Sequence, residues 1–359
     1  MATAIRLAIS SLLCLTLGSL ALAQSYKVTD LGVLRGDTSS VGFWINSSGQ
    51  VAGCADTSTG TTPPCTTNIN GQRAFLWTKG TGPRSLGTLP GGNVSAAYGI
   101  NDAGEIIGYS FTNEGTAHAF RWTQQYRMED LGTLPGGTTS TANAINVNGA
   151  IIGSSDYQGS SGNTDAVMWT SGGFIEDLGI LTGAAWATAL GNNNHNQVVG
   201  TSGFASGVFH AFLWTKANGM KDLGTLPGGT GSYGGYINNL GRIIGGSDSA
   251  KHLGVYHCAL WDKNLKIHDL GTLKTDAACG LSAINDEGLA VGGTLTAGTQ
   301  HAVFWSKSTG LLDLNTLIAK NSGWLLAGAI SISQSGQIVG WGTRNSENHG
   351  FLLTPKNEK

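Results

Sequence analysis

The chain has 359 residues, with 20 Lys and Arg against 22 Asp and Glu, a formal net charge of −2, and only 12% of its residues charged. Phosphate contacts dominate affinity for nucleic acid, and anionic membranes attract basic stripes; a near-neutral chain without a run of one sign excludes both as expected partners. Glycine supplies 56 residues, far above the roughly 7% of an average protein, which predicts many tight turns and few solvated helices.

Residues 1–23 read as a secretory signal, with Arg6 in a short basic start, an apolar run from Leu7 to Leu22, and a small-x-small site at Ala21-Leu22-Ala23 that predicts cleavage before Gln24. Cys14 lies inside this signal without the small residue a lipoprotein site needs just ahead of it, so no lipid anchor is expected. No later segment is long and apolar enough to span a bilayer. The sequence thus predicts a secreted or periplasmic, monomeric protein with no membrane insertion. Residues 24–356 form one domain, and 357–359 a polar tail.

From the first strand onward one four-part pattern recurs: DLGTLPGG, then A..IN..G.IIG, a variable stretch, and HAFLWT. The Leu of DLG stands at Leu31, Leu86, Leu131, Leu178, Leu223, Leu270 and Leu314, in steps of 44 to 55 residues, the length of a four-stranded propeller blade. In the first half of each copy an apolar stretch ends in Ile-Asn, two residues pass, and a Gly precedes a second apolar run, as from Ile145-Asn146 to Gly149. Asn bonds its own backbone two residues on and Gly accepts a positive φ, which makes this a hairpin. Copy four has Asn193 and Asn196 at these places; copy seven has Ser333 and Gly336.

The third strand carries a small residue and then a large one. Ala74, Ala119, Ala166, Ala211, Cys258, Ala302 and Gly350 take the small place, and Trp77, Trp122, Trp169, Trp214, Trp261, Trp305 and Leu353 the large one. Sheets packed face to face explain that pairing, with the Trp as a wedge between blades and stacking of a sugar or base as the lesser reading. The fourth strand holds Asp30, Asp130, Asp177, Asp222, Asp269 and Asp313, with Ser85 in copy two. The chain opens on a fourth strand and closes on a third. This predicts an all-β, seven-bladed β-propeller of four-stranded blades, its ring closed by residues 26–34 completing the last blade, which removes two exposed sheet edges.

GTLPGG, HAFLWT and INxxGxIVG resemble the HAF extracellular repeat family, on the His-Ala-Phe at His118-Ala119-Phe120 and His210-Ala211-Phe212. The resemblance covers essentially all of the chain after the signal. It implies an extracellular repeat protein and assigns no catalytic centre or functional residue.

Four cysteines remain after the signal. Cys54 and Cys65 bracket a Thr, Pro and Gly-rich excursion that other copies lack, so a disulfide is expected there; Cys258 and Cys279 form either a second bridge or two buried thiols. His118, His210, His257, His301 and His349 recur at one place, with Arg73 and Asp165 in the other copies. Each belongs to a different blade and lies roughly 10 Å out from the channel-lining strand, so these side chains read as structural, bonded to a neighbouring strand or crossover, rather than as metal ligands. The Asp of DLG reads likewise, as a bond to turn backbone. Asn101-Asp102 and Asn285-Asp286 lack the alternating acids of a calcium loop. No nucleophile elbow, zinc helix or phosphate loop is present, and no cofactor or metal is expected.

Recognition is expected on the face where the second-to-third loops and the crossovers emerge, because those loops vary most between copies and sit on a rigid scaffold. The candidate ligand-binding residues are Tyr109, Asp156, Tyr157, Phe204, Asp248, His252, Tyr256 and Arg344. The expected function is non-catalytic binding of an extracellular polysaccharide or protein. The alternative is a polysaccharide hydrolase or lyase, which needs cooperating acids at the channel mouth.

Overall fold

The computed structural model describes residues 25–57, 65, 71–273, 278–296 and 299–356; the leader and the polar tail read from the sequence lie outside them. Among the described residues every strand belongs to one of seven four-stranded antiparallel sheets. In six of these the strands follow chain order from the innermost outward, as in Ser140–Ile145, Ile151–Ser155, Asp165–Trp169 and Ile175–Gly179 of the third blade. The seventh joins Trp324–Ile332, Ile338–Arg344 and Glu347–Pro355 to the N-terminal strand Tyr26–Asp30, in a register running from Tyr26↔Pro355 to Asp30↔Phe351. Innermost strands touch their neighbours all the way round, the last meeting the first. The molecule is a closed seven-bladed propeller.

The repeat explains its own geometry. Asn146 Oδ1 accepts from the backbone of Asn148 and of Ala150, each at 3.0 Å, while Gly149 takes φ 78° to complete the turn. In copy four Asn196 adopts φ 56° where the other turns have Gly, the left-handed conformation that Asn tolerates best after Gly. The Trp wedges are buried at Trp122, Trp169 and Trp261, whereas Trp305 is half-buried. Two of them also bond the preceding blade, Trp169 Nε1 to Leu131 O at 2.9 Å and Trp261 Nε1 to Leu223 O at 3.0 Å. Apolar clusters accordingly lie between blades, and three of them each join the buried residues of two adjacent sheets.

A serine in the innermost strand supplies a second joint. Ser140 Oγ donates to Gly132 O at 2.7 Å and accepts from Ala119 N at 2.9 Å, and Ser232 does the same with Gly224 O and Ala211 N. Between blades five and six the same two positions hold Cys258 and Cys279, and they are joined as a disulfide. The other disulfide is Cys54–Cys65. Both bridges left open or expected from the sequence are therefore formed.

Each innermost strand also carries a β-bulge. The extra residue, Phe43, Tyr98, Asn143, Leu190, Gly235 or Ser282 in blades one to six, faces the channel. Bulges re-aim side chains in this way. The channel is consequently narrowed: Phe43 meets Tyr98 at 4.9 Å between ring centroids, and Trp44 meets Tyr236 at 4.9 Å across the axis from blades one and five.

Candidate functional site

The two ends of the disc differ. At the hairpin end the turn asparagines are tied to each other: Asn46 Nδ2 donates to Asn101 O, Asn101 to Asn146 O, Asn146 to Asn193 O, Asn193 to Asn238 O, Asn238 to Asn285 O and Asn285 to Ser333 O, at 2.9 to 3.4 Å. In several turns the next residue adds an outer contact, in which Asp102 Oδ1 accepts from Ser47 N at 2.8 Å and Asp286 Oδ1 from Asn239 N at 2.9 Å. The sequence identified the turn role of these asparagines; their reach into the next blade follows from the ring.

At the opposite end lie the crossovers and the variable loops. The eight sequence-chosen residues divide there by physical role. Tyr109 is not in a loop: it lies in the strand Ile106–Phe111, buried, with its hydroxyl donating to Gln72 Oε1 and its ring against Tyr98 and Phe111. Asp156 and Asp248 are buried clamps. Asp156 accepts from Thr138 N and Thr139 N at 2.7 Å and from Thr138 Oγ1 at 2.8 Å; Asp248 accepts from Thr230 N, Gly231 N, Thr230 Oγ1 and Gly254 N at 2.7 to 2.9 Å. Burial pushes both carboxyls up, but these donated bonds outweigh it and hold them below the usual carboxylate range. Arg344 is committed to Asp30, with Nη1 to Oδ2 at 2.6 Å. Tyr109, Asp156 and Asp248 are buried with partners inside the protein, and Arg344, though exposed, is paired through one guanidinium nitrogen.

The other four stay at the surface, on three consecutive blades. Tyr157 of blade three is exposed. Phe204 of blade four is half-buried with its ring edge-on to His210 at 5.4 Å, and His252 of blade five lies 4.8 Å from the His257 ring. Tyr256 of blade five stacks on Phe209 of blade four, interplanar angle 8° and centroids 5.7 Å apart. In blade five the second strand runs to Ser249 and the third returns at His252, so Leu253 and Val255 are carried out into solvent at 59% and 36% exposure. Phe209, Leu253 and Val255 were not singled out in the sequence, where all three fall within variable loops; the structure makes Phe209 the first residue of the strand Phe209–Thr215.

The repeated histidines are structural, as their placement on separate blades predicts. His118, His210, His257, His301 and His349 each turn Nδ1 to the DLG Asp of the adjoining strand at 2.8 to 3.1 Å. That Asp also accepts the backbone N–H two residues on, as Asp130 does from Gly132 at 2.8 Å. In the copy where Ser85 replaces the Asp, Arg73 pairs instead with Asp37. In copy three Asp165 faces Asp177. Burial, and then the neighbouring Asp177 carboxylate, push Asp165 up to about 6. Among the described residues no group of three or more His, Cys, Asp or Glu is arranged to hold a metal ion, and no helix is long and apolar enough to cross a membrane.

No family model matches the chain, and no curated protein does. Among solved structures, a streptogramin B lyase aligns with TM-score 0.55 at 11% identity over 92% of this chain and 98% of the other. Virginiamycin B lyase from Staphylococcus aureus aligns with TM-score 0.53 at 13% identity, over 92% and 99%. A puromycin hydrolase aligns with TM-score 0.56 at 10% identity over 90% of this chain but only 53% of its own length. At these identities the likeness is one of propeller fold alone, and propellers host unrelated chemistries.

Proposed function

We propose that this is an extracytoplasmic binding propeller of the HAF repeat type, which recognises a polysaccharide or protein through the loop-rich face and performs no reaction there. The observation that carries the reading is the arc of surface rings and apolar side chains on blades three to five, Tyr157, Phe204, Phe209, His252, Leu253, Val255 and Tyr256. Rigid rings with a polar tip give large contact area at low conformational cost. Two disulfides fit an oxidising compartment.

The distribution of acids favours binding over hydrolysis. A glycosidase needs two carboxyls across a cleft, whereas Asp102 and Asp286 at the hairpin-end mouth each hold a backbone N–H of the neighbouring turn on Oδ1. The raised carboxyl, Asp165, sits on the third strand of blade three beside Asp177 of the fourth, away from the innermost strands. A glycan and peptide array on the mature protein tests the reading, followed by a reducing-end assay on whatever is captured. Tyr256→Ala and Phe204→Ala should each weaken capture at least tenfold. Release of new reducing ends would overturn it in favour of a polysaccharide hydrolase or lyase.

A further inference from the structure

Six of the seven innermost strands end in Ile: Ile45, Ile100, Ile145, Ile237, Ile284 and Ile332 all line one cavity at the hairpin end of the channel. Blade four puts Asn192 at that position, and Asn192 lines the same cavity. It is fully buried; its Nδ2 donates to Ala150 O at 3.0 Å, and its Oδ1 has no hydrogen-bond partner. A buried carbonyl left unpaired destabilises a fold, and six copies show that Ile fits the place. Such a local conflict points to a hydrogen-bond donor held in the cavity, a water or a ligand hydroxyl that displaces it, rather than to packing.

The surroundings name the kind of ligand. Trp44 and Tyr236, 4.9 Å apart and tilted by 45°, form the floor and separate this cavity from the rest of the channel, since both also line the space on the other side. Gly191 makes room for Tyr236, because a Cβ there would strike the Tyr236 ring. The cavity offers about 140 Å³, room for several waters. Its rim is the asparagine belt. Of the lining residues only Asp102 and Asp286 carry charge, and both already accept backbone N–H groups. Among the described residues no group of three or more His, Cys, Asp or Glu is placed to hold a metal ion, and each of the two carboxylates has one oxygen turned to the neighbouring turn.

We propose that this cup binds one uncharged, hydroxyl-bearing ring, the terminal residue of a glycan, with Asn192 Oδ1 accepting from a ring hydroxyl and the Trp44 and Tyr236 rings beneath it. The site lies at the end of the disc opposite the loop-rich face and is independent of it. Methyl glycosides of glucose, galactose, mannose and N-acetylglucosamine are the probes, titrated with ligand-observed NMR and the change in tryptophan fluorescence as readouts. At least one should bind saturably. Asn192→Ile should weaken it at least tenfold while raising the melting temperature, and Asn192→Ala, which cannot crowd the walls, should weaken it equally. Tyr256→Ala, on the loop face, should bind the glycoside as wild type does. The proposal is overturned if no glycoside saturates, if both Asn192 variants bind like wild type, or if tetramethylammonium binds in the glycosides' place.

Discussion

Gly153 closes the Ile-Ile-Gly of copy three, and it pairs with Ala142 beside the bulge at Asn143. The bulge draws Thr141 O so close over Gly153 that any Cβ there would collide with it, and Gly108, Gly200, Gly245, Gly292 and Gly340 meet the same obstacle in their own blades. These glycines are required by close backbone approach, not by a positive φ. Gly153→Ala should therefore cost about 1–3 kcal/mol, as overpacking does, read as a lowered denaturation midpoint. Gly132→Ala is strained for a different reason, its φ of 70°, although nothing stands within 4 Å of a Cβ there. The final Gly of the motif is plain in the sequence; that it answers a bulge is not, because the bulge is a relation between two strands.

At the scale of the element, the strand Tyr26–Asp30 is held to Glu347–Pro355 by its ladder and by a charged cluster at its end. The Asp30 bond and the nearby Glu347 raise the His349 imidazole against burial and Arg344. Asp30 is pushed up by burial, but bonds from His349, Gly32 and Arg344 prevail and lower it. The raised histidine stabilises fully below about pH 6.5 and loses its contribution as pH climbs through its folded value; the lowered aspartate stabilises above about pH 3.9 and loses its contribution as pH falls through its folded value. Ring closure should accordingly be firmest between these limits. Protection factors of residues 26–30, with the intrinsic exchange rate at each pH divided out, should be highest in that window, and Asp30→Asn should flatten the profile. The Cys258–Cys279 bridge is a second joint, closing a separation of 21 residues. Its removal should cost about 3 kcal/mol. Cys258→Ala with Cys279→Ser recreates the Ala–Ser pair of the other blades and should recover about 1 kcal/mol over the double alanine, measured by chemical denaturation.

For the molecule as a whole, closure decides behaviour. Removing residues 25–34 would bare the outer edge of Glu347–Pro355 in the last blade, a template for pairing with another chain. The truncated protein should elute as oligomers or aggregate on size exclusion while the full chain does not; a stable truncated monomer would contradict the role given to the N-terminal strand.

The sequence by itself determined the blade count, the strand order, the closing strand and the turn chemistry, because each is written in a short local pattern repeated seven times. It also marked the repeated His and Asp as structural, since side chains set on separate blades cannot converge on one ligand. It could not show that Tyr109, Asp156, Asp248 and Arg344, which look like free loop residues in one dimension, find partners 37, 18, 18 and 314 positions away. It passed over Asn192, one Asn among several. Only the closed ring decides these cases, since burial and the supply of hydrogen-bond partners are set by residues that adjoin in space and not in sequence.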